Sequence, residues 1–272
     1  MGVSEIWVMK LWRRYRVEGT IPQLKSPGRK RLLISDDERD AIVEAYREHG
    51  VCATILERII HVPHNRIHRV LKEAGLVMDE PRKHVRKKWI RYERKYSNSL
   101  WHTDWTLIEG MGWLIAYLDD ASRFIIGYGL FPEATSEHAI EVLKEAIGRH
   151  GKPASILTDR GTQFYKSEAE ERGGFSVFEG YLIEKGIRHV LGGVSHPQTN
   201  GKVERFFKTV KDKLPRFDND IDKLMSWYNT KRPHMSLNLD IIETPYQAYV
   251  TKMPKDGIVI DEGSGEIYHA KK

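Results

Sequence analysis

The chain has 272 residues, 40% of them hydrophobic, which supports one large domain or two ordinary ones and excludes a disordered tail. No run approaches the roughly 18 uncharged apolar residues of a membrane span, and no apolar run precedes the charges of the N-terminus. A single cysteine, Cys52, excludes an internal disulfide framework and any zinc site needing two thiolates, so a reducing cytosol is the natural setting.

Net charge is +6 and unevenly distributed. Residues 1–99 hold 22 Lys and Arg against 13 Asp and Glu, whereas residues 100–272 hold 22 against 25. A basic front half beside a nearly neutral back half fits phosphate binding by the first and a different task for the second.

At the front, the periodicity predicts a helix over 4–18, with Ile6, Val8, Met9, Leu11, Trp12 and Tyr15 at helical spacing and Gly19 as its stop. TIPQLKSPGRKR follows and reads as an extended basic arm, so residues 1–34 form a partial helix-turn-helix and arm. Ser35 with Glu38 is a capping-box pattern that opens a helix to about Glu48, ended by Gly50. A short helix near Thr54–Ile60 and a third over about His64–Ala74, stopped by Gly75, complete a helix-turn-helix unit over 35–78. In that reading Asn65, Arg66, His68 and Arg69 face the major groove, while Ile67, Val70 and Leu71 face the core. A small bundle with a charged outer face accounts for the same pattern. His61, His64 and His68 read as surface histidines, because the cysteines of a zinc module are lacking.

Residues 79–98 read as a basic linker. Pro81–Lys95 carries eight basic residues and one acid, with Trp89 and Tyr92 interleaved. Arg86, Lys87, Lys88 and Arg91 are its candidates for following a phosphate backbone.

From Leu100 the pattern changes. LWHTDWTLI, GWLIAYLDD and RFIIGYGLF are three strand-like runs joined by short turns, and the second is apolar on both faces. A helix capped by Ser136 runs to about His150, ASILTD is a further buried strand, and 178–186 form a helix leading into IRHVL. This order predicts an α/β fold, a mixed sheet flanked by helices. Asp104 falls inside the first strand, alternating with His102 and Thr106, and Asp159 closes ASILTD. Glu204 lies early in a helix that begins near Thr199–Asn200. There Val203, Phe206, Phe207, Val210 and Leu214 form a buried stripe, while Glu204, Lys208 and Lys211 share a polar line.

Acids converging from separate elements suit Mg²⁺ or Mn²⁺, hard cations that take oxygen ligands and leave room for water and phosphate. Two such ions about 4 Å apart clamp the attacking and leaving oxygens of an in-line phosphoryl displacement. A bare triple means little, since the chain has 38 acids to draw from. Asp119 and Asp120 read as turn formers outside this set.

The residues around the acids say more. LTDRGTQF at Asp159 and HPQTNGKVERFFKTVK at Glu204 closely resemble signatures of the retroviral-integrase catalytic core, shared by many insertion-sequence DDE transposases. WHTDWT, LDDASRFIIGY, WYNTKRPHMSLNL and ETPYQAY extend the resemblance over about residues 98–250. It implies an RNase H-like core of five strands over 99–250, followed by a C-terminal tail over 251–272. It also implies a catalytic and metal-binding triad of Asp104, Asp159 and Glu204 holding two divalent ions, Mg²⁺ or Mn²⁺, with Asp104 bridging both. The segment His196–Gly201 would lie beside the DNA end, and Asn200, Lys202, Lys208 and Lys211 occupy positions of DNA contact.

The implied activity is that of a transposase that hydrolyses a phosphodiester at a transposon end and joins the freed 3′-OH to target DNA. Its partners would be terminal-repeat and target DNA and further copies of itself, as a homodimer or larger assembly near the nucleoid of a prokaryotic cell, with no membrane. Asp104 and Asp159 are 55 residues apart, and Asp159 and Glu204 are 45 apart. The second spacing is longer than the family often shows, and its extra length is expected within 166–180. Trp227, Tyr228, Asn229, Arg232, Pro233 and His234 read as a packed aromatic helix and its end. The chain opens inside what reads as the last helix of a further helix-turn-helix, which predicts a shortened N-terminus. Two rival readings are a DNA-binding relic with impaired transposition and a structure-specific nuclease on the same fold.

Overall fold

The computed structural model describes residues 4–20, 33–78, 93–166, 174–192, 200–254, 258–260 and 267–269. The chain divides into two compact units, Met1–Arg39 and Asp40–Lys272. In the first, helix α1 (Glu5–Glu18) starts at Ser4, whose hydroxyl accepts the Trp7 amide, and stops at Gly19 in the left-handed region at φ +65°. The helix is where the spacing predicts it. Its apolar residues are not a buried stripe, however, for no residue of α1 is buried. Trp12 instead stacks on Tyr15 with ring centroids 5.8 Å apart.

The boundary between the units falls within α2 (Asp36–His49), which Ser35 caps by accepting the Glu38 amide at 3.3 Å. Two shorter helices follow, α3 (Ala53–Ile60) and α4 (His64–Glu73). Ile42, Ile55, Leu56, Ile67, Val70 and Leu71 are all at most 1% exposed, so these three helices share an apolar centre. Each such side chain contributes about 1.5–3 kcal/mol relative to exposure, which explains why helices this short persist.

The core sheet has five strands in the order β3-β2-β1-β4-β5: β1 (Leu100–Ile108), β2 (Gly112–Asp119), β3 (Ile125–Phe131), β4 (Ser155–Thr158) and β5 (Arg188–Leu191). Strands β1, β2 and β3 form an antiparallel meander, while β1–β4 and β4–β5 pair in parallel. This is the mixed sheet flanked by helices that the strand and helix order predicts, with the five strands that the resemblance implies. Strand β2 is buried along most of its length, as a strand with apolar residues on both faces must be.

Helix α5 (Ser136–His150) packs on the meander, and glycine lets it come close. A Cβ on Gly129 would stand 2.7 Å from Val142 Cγ2, and one on Gly127 would stand 3.0 Å from Ala146 Cβ. The cap of α5 lies one residue earlier than the sequence suggests. Thr135 accepts the His138 amide, whereas the Ser136 hydroxyl donates to the Gln163 carbonyl at 2.6 Å.

Helix α6 (Val177–Lys185) opens with a full capping box between Ser176 and Glu179. Next come α7 (Gly201–Lys213), a 3-10 turn at Leu214–Phe217, α8 (Ile221–Thr230) and α9 (Pro245–Thr251). Val203, Phe206, Phe207, Val210 and Leu214 are buried, matching the predicted stripe. Asn229 of α8 takes an unforeseen role. Its side-chain amide accepts from the Ile125 N–H at 2.9 Å and donates to the Ile125 carbonyl at 3.0 Å, closing part of the open edge of β3.

Two further regions differ from the sequence reading. The last residues assigned to the basic linker belong to the core: Arg94, Ser97 and Asn98 are buried. Asn98 donates through its backbone N–H to Asp119 Oδ1 at 2.8 Å, and its Oδ1 accepts from Trp101 Nε1 and the Tyr249 hydroxyl, each at 3.0 Å. The C-terminal tail contains an antiparallel pair, β6 (Ile258–Ile260) with β7 (Ile267–His269).

Within the second unit, the C-terminal end of α2 is held by the core. The Arg216 guanidinium donates to the carbonyls of Tyr46 at 3.3 Å, Arg47, and Glu48 at 2.7 Å. Trp227 Nε1 donates to the His49 carbonyl at 3.3 Å, and the Lys213 ammonium lies 5.7 Å from the centre of the Tyr46 ring. These contacts satisfy carbonyls that a helix end leaves without internal partners.

Candidate active site

The parallel pairing of β1 with β4 sets Leu100 against Ser155 and His102 against Leu157. Continued by two residues, that register sets Asp104 opposite Asp159, just beyond the end of β4. Helix α7 packs on β1 and carries Glu204 in its first turn. Sheet register and helix packing thus bring together three acids that the sequence separates by 55 and 45 residues.

The electrostatics agree. The Asp104 carboxyl is pushed up to about 7, first by burial, then by the negative charge of Asp159, with a smaller contribution from Glu204. The Trp105 backbone N–H donates to Asp104 Oδ1 at 2.8 Å and offsets part of that rise. Its other oxygen accepts from Asn200 Nδ2 at 2.9 Å. Asn200 is 8% exposed, and its own amide oxygen is buried without a hydrogen-bond partner. Asp159 Oδ1 accepts the Gly161 N–H at 2.9 Å, and a Cβ at Gly161 would crowd the same oxygen at 3.0 Å.

Among the described residues, no Lys, Arg or His pairs with any of the three acids, and no three His, Cys, Asp or Glu side chains converge into a ready-made metal cage. Both aspartates also accept from protein donors, Asp104 from Trp105 and Asn200, and Asp159 from Gly161. The donor set itself fits hard divalent ions: all oxygen, from the middle of β1, the end of β4 and the start of α7, with crowded negative charge that a cation relieves.

The remaining predicted contacts divide into three groups. Asn65 and His68 are exposed on α4, Arg66 and Arg69 are half-buried there, and Lys208 and Lys211 are exposed along α7. Arg86, Lys87, Lys88 and Arg91 lie outside the described residues, as does the segment 193–199 that the sequence places beside the DNA end. Lys202, expected as a DNA contact, has a partner within the chain. Its ammonium bonds Asp120 Oδ1, and Asp120 is fully buried.

Asp120 belongs to a network that the sequence reading took for a turn. His102 Nε2 meets Asp120 Oδ1 at 2.5 Å, and the Arg94 backbone N–H donates to Oδ2 at 2.6 Å. Burial works against charge on Asp120, but His102 and Lys202 outweigh it and hold the carboxyl well below the usual range. Burial likewise lowers His102, only partly offset by Asp120. Asp119, beside it, accepts from Asn98 N, Ser122 N and Ser122 Oγ. The available signal was an acidic pair ending a strand apolar on both faces, where a solvated turn former would not be buried.

Two family models described as integrase core domain match residues 94–197 and 185–240. The transposase of transposon Tn552 from Staphylococcus aureus is 28% identical over 153 residues, covering 48% of this chain and 30% of that one. The transposase InsF of insertion sequence IS3A from Escherichia coli K12 is 27% identical over 119 residues, covering 42% and 38%. The transposase of IS1202 from Streptococcus pneumoniae is 31% identical over 102 residues, covering 36% and 22%. The chain thus spans well under half the length of these curated relatives.

Among solved structures, the catalytic core domain of BIV integrase is similar over 57% of this chain and 95% of its own, with 21% identity and a TM-score of 0.44. The HTLV-2 integrase catalytic core, in its dimeric form with magnesium, aligns over 57% and 99%, with 22% identity and a TM-score of 0.43. The two matched segments run without a gap from residue 94 to residue 240, through the sheet and all three acids, and the chain belongs to the integrase-core family, with the type of core found in insertion-sequence transposases.

Proposed function

We propose that this protein is a DDE transposase: it binds the ends of a mobile DNA element, cuts a phosphodiester there to free a 3′-OH, and transfers that 3′-OH to target DNA. The observation that carries this reading is the cluster of Asp104, Asp159 and Glu204. Burial, and then the negative charge of Asp159 and Glu204, holds Asp104 at about 7, and no protein cation pairs with the three among the described residues. Such a cluster costs folding free energy and is rational where an external cation completes it.

Asp104, Asp159 and Glu204 would hold the ions. Bound divalent cations would supply Lewis-acid polarisation of the scissile phosphate and neutralise charge on the entering and departing oxygens. The protein's own part is placement. Strand β1 and the end of β4 fix the two aspartates on adjacent strands, the Gly161 N–H orients Asp159, and α7 brings Glu204 from the other side. In the first step a water oxygen bonds to phosphorus and the bond to the 3′ oxygen breaks, leaving a free 3′-OH. In the second, that hydroxyl oxygen bonds to a target phosphorus while the target's own 3′ oxygen departs. Neither step needs a covalent intermediate with the protein.

Asn65, Arg66, His68 and Arg69 on α4 are assigned to the DNA end, together with Arg86, Lys87, Lys88 and Arg91. Asn200, Lys208 and Lys211 are assigned to DNA near the scissile phosphate. A homodimer or larger assembly would bring two ends together.

The test is strand transfer with a labelled terminal-repeat duplex and Mg²⁺, comparing wild type with Asp104→Asn, Asp159→Asn and Glu204→Gln. Loss of both cutting and joining in all three is expected. Undiminished joining by any one removes that residue from the triad, and hydrolysis of branched DNA without joining would mark a nuclease instead.

A further inference from the structure

We infer that Lys202 is a positioning residue: by bonding the buried Asp120 it fixes the first turn of α7 on the sheet and so holds Glu204 toward Asp104. The inference rests on the proposed reading of the three acids.

Asp120 is itself fixed from three sides. Its backbone N–H donates to the Leu100 carbonyl at 2.9 Å, its Oδ2 accepts the Arg94 N–H at 2.6 Å, and its Oδ1 meets His102 Nε2 at 2.5 Å. His102 stands two residues before Asp104, on the same face of β1. Lys202 stands two residues before Glu204 and is the second residue of α7. The anchor thus joins the strand of one acid to the helix of another, each by the residue two positions earlier.

Helix geometry makes the location effective. Asn200 makes no side-chain cap at the start of α7 and spends its amide on Asp104 instead. The first turn is therefore tied at Asn200 to Asp104 and at Lys202 to Asp120. Val203, fully buried, supplies the packing between them. Residues two apart differ by roughly 200° around the helix, so a tie at Lys202 opposes rotation that would swing Glu204 away. Losing the tie leaves Val203 as a pivot, and Glu204 gains rotational freedom.

A phosphate-contacting lysine and a positioning lysine behave differently when removed. A lost phosphate contact raises KM for DNA in a salt-dependent way and leaves kcat in place. A lost positioning tie lowers kcat and leaves KM nearly unchanged.

Lys202→Met, Lys202→Arg and Asp120→Asn would be compared with wild type on terminal-repeat DNA. Three readouts apply: steady-state cleavage, Mn²⁺ titration followed by electron paramagnetic resonance, and amide hydrogen exchange of the metal-free protein. For Lys202→Met we expect kcat to fall about tenfold or more with KM within about twofold, weaker Mn²⁺ binding, and faster exchange at residues 203–205 with α5 unchanged. Lys202→Arg should recover part of kcat. The Lys202→Met, Asp120→Asn double variant should be no slower than Lys202→Met alone, because both remove the same tie.

Unchanged kcat and exchange in Lys202→Met, or a salt-dependent rise in KM alone, overturns the inference. Should Asp120→Asn fail to fold, Lys202→Met decides the matter, since the lysine side chain is 20% exposed and methionine keeps its apolar stem. A wild-type protein that neither cuts DNA nor binds Mn²⁺ overturns the underlying reading, and the exchange comparison then still decides whether the tie holds α7.

Discussion

Two sets of acids lie a few residues apart on the same sheet, and they are treated oppositely. Asp119 and Asp120 at the end of β2 are fully buried, and their oxygens meet N–H and O–H donors, a histidine and a lysine. Asp104 and Asp159 are less deeply placed, yet the charges that act on Asp104 are those of the other two acids. The first set is satisfied from within the chain and serves architecture. The second is left in mutual repulsion, which a folded protein retains only where something outside it supplies positive charge. Burial alone would have ranked the two sets the wrong way round. Partnering tells which is structural and which is chemical.

The largest expected effect tests the second set. Asp104→Asn, Asp159→Asn or Glu204→Gln should each lower strand cutting by roughly a thousandfold or more, since each removes an ion ligand from an in-line displacement. Gel analysis of labelled ends reads this directly, and a variant within about tenfold of wild type would place its residue with the architectural set.

Next comes Asp119→Ala, which leaves buried donors on Asn98 and Ser122 without acceptors. A loss of about 2–4 kcal/mol is expected. Calorimetry should show this as a fall of about 5–15 °C in Tm. No change would mean that the network is dispensable and the contrast between the two sets false.

Smaller still is the response to metal. Mg²⁺ at about 100 times its Kd should raise stability by about 2.7 kcal/mol, reversed by a chelator and absent in Asp104→Asn. An equal rise in that variant would move the ion-binding site elsewhere.

The smallest effect concerns protons. Asp104 has an ordinary value of 3.8 and is raised to about 7 in the folded chain. Between these values the folded state keeps a proton that the unfolded chain releases, so stability falls as pH rises through that window. Metal-free Asp104→Asn should therefore melt higher than wild type at pH 8, by about 1–3 kcal/mol, with the two converging near pH 4. A wild-type curve flat from pH 4 to pH 8 would show that the crowding of Asp104 is relieved in solution.

Much of this molecule is legible in its amino acids because periodicity speaks to local structure. The meander, the stripe of α7 and the core side of α4 follow from apolar spacing. What escapes is whatever depends on partners distant along the chain. Lys202 reads as one more cation on a polar helix line, and only the fold reveals an acid 82 residues away beneath it. Asn98 sits in a stretch dominated by linker-like charge, yet it links β1, α5 and α9 through hydrogen bonds to Trp101, His150 and Tyr249. Asn229 looks like a helix-end polar residue until its amide is seen against the edge of β3. The apolar residues of α1 mislead in the other direction, because helical spacing predicts an amphipathic helix but not what covers it.

The grip of Arg216 on three carbonyls of α2 has its own consequence for how the chain comes apart. With Trp227 and Lys213 adding to it, the C-terminal end of α2 is fastened to α7, the 3-10 turn and α8 by non-covalent contacts as well as through the peptide backbone. Arg216→Ala should therefore loosen the end of α2 first, read as faster amide exchange at residues 46–50 while the β1–β2 pair stays protected.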